Sequence, residues 1–114
     1  MKKFLLLTLL FSHVSAFAAE EWVSHPLLKY EVNEDSGRMK IFTPKYDYLE
    51  LDCMSFINEL SFVYNNSLER KVVVDSYQCE YLGEYISEGI KNGEACLKMD
   101  IINNKFVFSD KKCE

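Results

Sequence analysis

Along the chain, apolar and polar positions alternate in short runs broken by turn residues. Leu28, Tyr30 and Val32 alternate with Lys29, Glu31 and Asn33; after Glu34-Asp35-Ser36-Gly37 the pattern resumes as Arg38, Met39, Lys40, Ile41, Phe42. This predicts a β-hairpin with a four-residue loop, its inner face built from Tyr30, Val32, Met39 and Ile41. Thr43-Pro44 stops it, and residues 46–52 can extend as a short strand. The period then changes. Leu51, Met54, Ile57, Leu60 and Val63 or Tyr64 recur every three or four residues, the spacing that gathers side chains on one helical face. A helix is expected over residues 52–64, with Asp52 as its N-cap and Asn65-Asn66-Ser67 as its end.

Residues 72–93 read as the organising element. The run VVVDSYQCEYL is the strongest β-forming stretch, with Val73, Tyr77, Cys79 and Tyr81 on one face and Val72, Val74 and Leu82 on the other. Apolar residues on both faces predict an interior strand. Residues 83–93 hold three glycines, Gly83, Gly89 and Gly93, and glycine's backbone freedom disfavours a stable helix there, so a working loop is expected. Residues 96–102 and 105–109 alternate on either side of Asn103-Asn104, a dipeptide suited to a tight turn. Leu97, Met99, Phe56, Phe62, Tyr64, Phe106 and Phe108 are expected to fill the core. The sum is an α+β fold, a small disulfide-braced antiparallel sheet of about six strands with one helix packed on it; an all-β sandwich or barrel is the alternative.

The N-terminus changes the compartment. Met1-Lys2-Lys3, an apolar run from Phe4 to Phe11 and the small residues of Ala16-Phe17-Ala18 have the form of a secretory signal peptide, cleaved before Ala19 to leave residues 19–114 as one mature domain. The run is shorter than the ~20 residues a spanning helix needs, so no membrane insertion of the mature chain is expected. The residue just after the cleavage point is Ala19, not a cysteine that could take a lipid, and the short basic start suits a bacterial leader, hence a periplasmic or secreted protein. Cys53, Cys79, Cys96 and Cys113 all lie in the mature part. In an oxidising compartment they imply two disulfides, and of three possible pairings Cys53–Cys79 with Cys96–Cys113 is expected because the second brackets the last hairpin. The nearest cysteines are 17 residues apart, which argues against a local zinc site.

Charge narrows the partners. Without Lys2 and Lys3, eleven basic residues face eighteen acidic ones. Such a surface repels phosphate backbones and anionic lipids, so nucleic acid is excluded as a partner class. Chemistry is sparse. His25, the only histidine of the mature chain, sits in a short polar lead with Trp22 and reads as a surface residue, and the cysteines are committed to disulfides. Neither supplies the nucleophile and base of covalent catalysis, and no cofactor or metal motif appears. Glu84 and Glu88 would share a face if their segment turned helically, which leaves a small carboxylate hydrolase as the surviving enzyme reading. The same region suits recognition better: Tyr81, Glu84, Tyr85, Ile86 and Glu88 combine aromatic, aliphatic and acidic side chains for a protein partner. Their competing role is that Tyr85 and Ile86 pack inward. The expectation is a monomeric or homodimeric exported protein-binding module without catalysis, most concretely an inhibitor or immunity protein that blocks a cell-envelope hydrolase or antibacterial toxin. A self-assembling envelope subunit pairing through an open sheet edge is the alternative.

Overall fold

The computed structural model describes residues 19–114, and the expected leader, 1–18, lies outside the described residues. Eight strands and one helix are found there. β1 (Trp22–Pro26), β7 (Cys96–Asp100) and β8 (Lys105–Ser109) form one antiparallel sheet with β7 in the middle. β2 (Lys29–Val32), β3 (Met39–Phe42), β4 (Tyr48–Asp52), β5 (Glu59–Tyr64) and β6 (Ser67–Val73) form a second, in sequence order. The helix α1 (Ser76–Lys91) follows β6 and leads to β7. The fold is α+β, antiparallel and disulfide-braced as expected, with its strands divided between two sheets.

Alternation decides what each strand buries, because successive side chains leave a strand on opposite sides. Met39, Ile41, Leu49, Leu51, Leu60, Phe62 and Val72 all turn to one face of the five-stranded sheet and are buried. Cys79 and Ile86 of α1 and Leu97 and Met99 of β7 close over that face in one continuous core. Each large side chain so buried stabilises the fold by about 1.5–3 kcal/mol. The first hairpin has its expected pairs, Tyr30 with Ile41 and Val32 with Met39, although Val32 remains exposed. The last has the expected turn, and Arg70 ties it to β6: the guanidinium donates to the Ile101 carbonyl at 3.2 Å and to Asn104 Oδ1 at 2.9 Å. Both disulfides pair as expected.

Four expectations change. Residues 76–91, read as the end of a strand and a glycine loop, are helical, and the organising strand stops at Val73. Asp75 caps the helix, its side chain accepting the Tyr77 N–H at 2.9 Å. Residues 52–64 are not a helix. Residues 53–58 form a loop and Glu59–Tyr64 form β5, in which Leu60 and Phe62 alternate inward. Asn65 and Asn66, both with positive φ, then make the two-residue turn to β6, with Tyr64 opposite Ser67. His25 is no surface residue: the polar lead is strand β1, and pairing with Leu97 turns its ring inward, leaving 3 % exposed. Phe56, assigned to the core, is 103 % exposed, and Tyr64 is also exposed.

Candidate functional site

Loop 53–58 begins where β4 ends, and three constraints hold it. Asp52 Oδ1 accepts the N–H groups of Met54 and Ser55, both at 3.1 Å, while Oδ2 accepts the Ser55 hydroxyl and pairs with Arg38 at 3.3 Å. These contacts, first the Ser55 hydroxyl and then the two N–H groups and Arg38, outweigh partial burial and hold the Asp52 carboxyl below its ordinary value. Cys53 is bonded to Cys79 in the first turn of α1. At the far end the Val74 N–H donates to the Asn58 carbonyl at 2.9 Å. The carboxylate of Asp52 and the hydroxyl of Ser55 are therefore spent on shaping the loop. Met54, Phe56 and Ile57 are left pointing at water. Exposed Val73 pairs with Glu59 across β5 and β6, where the Glu59 carboxylate is itself paired with Lys71 at 3.4 Å, and exposed Tyr77 opens α1 just after its capping Asp75.

Helix α1 carries the second feature. Its inward stripe is Cys79, Leu82, Ile86, Gly89 and Ile90. Outward, two rows repeat every four residues: Tyr77, Tyr81 and Tyr85, which are 81 %, 58 % and 61 % exposed, and Glu80, Glu84 and Glu88. At 3.6 residues per turn the six positions lie within an arc of about 140°. Among the described residues none of these three glutamates is within ion-pair distance of a basic group. Like charges four apart destabilise a helix by roughly 0.2–0.5 kcal/mol per pair, so the row is a local cost. Beside the tyrosines a groove of about 480 Å³ runs between α1 and β8, lined by Tyr77, Gln78, Tyr81, Leu82, Tyr85 and Phe108. Gln78, Leu82 and Phe108 also line an adjoining pocket that reaches the end of β6 at Val72 and Val73, then Val74 and Asp75, and Lys105 of β8.

Of the residues expected to bind a partner, Tyr81, Glu84, Tyr85 and Glu88 share this outer face, and Ile86 is buried beneath it. Met54, Phe56, Ile57, Tyr77 and Glu80 were missed. Two signals could have found them. Asp52 followed by Ser55 is a turn pattern, because a short carboxylate accepts N–H groups two and three residues on. Asp75 followed by Gln78, ahead of apolar residues at 79, 82, 86 and 90, is a helix start with helical spacing.

The buried histidine belongs to a packed cluster. Its ring meets Tyr46 edge-on at 5.4 Å, and the Tyr46 hydroxyl donates to Glu69 Oε1 at 2.7 Å. Burial, reinforced by Lys45, lowers the His25 pKa against the opposing pull of Glu69. Tyr46 is pushed up to about 12 by burial and then by its bond to Glu69. This is the arrangement of a neutral imidazole locked between two sheets. All four cysteines are in disulfides, and among the described residues no three metal-binding side chains cluster. No helix of the described residues is long and apolar enough to cross a membrane. No known protein family, curated protein or solved structure matches the chain.

Proposed function

We propose that the chain is an exported, periplasmic or secreted module that acts by tight protein–protein contact without catalysis. Its most concrete form is an inhibitor or immunity protein that blocks a cell-envelope hydrolase or an antibacterial toxin. The observation that carries this reading is loop 53–58, which holds Phe56 wholly in water between exposed Met54 and Ile57. Exposing these side chains gives the isolated fold nothing, since apolar area stabilises only when removed from water. Yet the loop is pinned by Asp52 and the Cys53–Cys79 bond, so little conformational entropy would be lost on binding. A constrained, exposed, apolar tip has the form of a plug for a concave partner, with its anchor residues already in place.

The test is to immobilise the oxidised exported protein, expose it to periplasmic and secreted fractions, and identify what is retained by mass spectrometry, with Phe56→Ser alongside. A stoichiometric hydrolase or toxin, inhibited by the natural protein and lost with Phe56→Ser, is the expected result. Retention of nothing, or of other copies of the chain alone, would overturn it.

A further inference from the structure

We propose that the outer face of α1, with its groove against β8, is a recognition surface for an arginine-bearing segment of a protein partner. The surface has two halves that one chemistry satisfies. Tyr77, Tyr81 and Tyr85 present aromatic rings along about 12 Å of helix, with Leu82 and Phe108 closing the adjoining groove. Glu80, Glu84 and Glu88 set carboxylates in the same arc, and among the described residues none is paired with a base. A guanidinium is planar and permanently charged. It stacks on a tyrosine ring while its fork of donors engages a neighbouring carboxylate two bonds at a time. Arginines spaced four apart on a helix, or alternating along a strand, would meet successive tyrosine–glutamate pairs and cancel the repulsion along the glutamate row.

Other occupants fit less well. A second copy would bring more negative charge to a chain with eighteen acidic residues. A neutral glycan could stack on the tyrosines but would leave the carboxylates unbalanced. The inference builds on the protein-binding reading while using residues separate from loop 53–58, and its test needs no natural partner.

The probe is a synthetic helical peptide with arginines at every fourth position, titrated into the isotope-labelled oxidised protein and followed by amide NMR. Two comparison peptides carry citrulline, which keeps the shape and removes the charge, or the same arginines at scrambled spacing. The expected result is saturable binding with shifts confined to residues 76–91 and Phe108. Affinity should fall roughly tenfold or more with citrulline, and again for Tyr81→Ala with Tyr85→Ala and for Glu84→Gln with Glu88→Gln. All four side chains are exposed, so these variants should fold. Equal binding of the citrulline or scrambled peptide, shifts centred elsewhere, tyrosine variants that bind normally, or no binding would each overturn it. So would a cell-wall oligosaccharide shifting the same residues more strongly. Arginine-peptide binding with an empty capture experiment would leave this surface standing and remove the loop reading; the reverse result would do the opposite.

Discussion

Protonating His25 would put a charge into the cluster where its ring packs against Tyr46 beneath β1. Its folded pKa lies below the ordinary value of 6.5, so below that pH the unfolded chain binds the proton more readily than the folded one. The stabilisation is complete above about pH 6.5 and is lost as pH falls through the folded value. The urea midpoint should therefore drop between about pH 7.5 and about pH 5.5, and His25→Gln should flatten that slope whatever it does to stability at neutral pH. Asp52 and Asp100, both held below the ordinary carboxylate range, act only in more acidic solution and leave this window to the histidine. Two phenylalanines make the contrast of burial. Phe62, fully buried, should cost about 3–5 kcal/mol as Phe62→Ala, whereas Phe56→Ser should stay within about 0.5 kcal/mol in chemical denaturation. A large loss from Phe56→Ser would mean the side chain packs against the protein.

Helix α1 forms against its local sequence preference, and its glycines are the reason. Gly83 and Gly89 each weaken a helix by about 1 kcal/mol relative to alanine, which favours a loop. They differ in surroundings. A Cβ at Gly83 would meet only Leu51 Cδ2 at an ordinary 3.7 Å, but one at Gly89 would meet the Glu94 carbonyl and Ala95 Cβ at 3.1 Å and Phe108 Cζ at 3.2 Å. Gly83→Ala should accordingly stabilise by about 0.5–1 kcal/mol, while Gly89→Ala should destabilise because backbone at 94–95 has to move. Thermal unfolding of the two variants checks both signs. Gly89 is thus what lets α1 approach β8 and the chain at 94–95. Residues 52–64 show the converse, helical spacing without a helix. Leu51, Met54, Ile57 and Leu60 do recur at helical spacing, but Leu51 and Leu60 face each other across β4 and β5 while Met54 and Ile57 belong to the exposed loop between them. Their spacing reflects a strand–loop–strand path.

For the whole molecule, the two disulfides divide the work. By loop-closure entropy, bridges spanning 26 and 17 residues should each contribute about 3 kcal/mol, so either pair of Cys→Ala changes should lower stability by a similar amount. Only one of them touches a candidate site. Cys53→Ala with Cys79→Ala frees loop 53–58 from α1 and should abolish capture of a partner through Phe56 at temperatures where the chain is still folded. Cys96→Ala with Cys113→Ala should lose stability and keep capture. Equal loss of capture in both would show that the loop's attachment is not what matters.

What the sequence determined by itself is whatever depends on near neighbours. The 28–42 hairpin and the turn at Asn103-Asn104 are carried by alternation and turn residues within reach of one another. The even number of cysteines, the excess of carboxylates and the segregation of large apolar residues were likewise legible, and with them the α+β, disulfide-braced class. The tertiary structure decided everything that turns on what lies opposite. Residues 76–91 became a helix because an inward stripe of Cys79, Leu82, Ile86 and Ile90 found a sheet face to cover. His25 was buried because β1 pairs with β7, more than seventy residues away in the chain. Phe56 is in water because it falls in the loop between β4 and β5, which Asp52 and the Cys53–Cys79 bond hold off the sheet face that Phe62 occupies. Local pattern states how a segment can bury itself; only the packed fold supplies the surface that chooses among those ways.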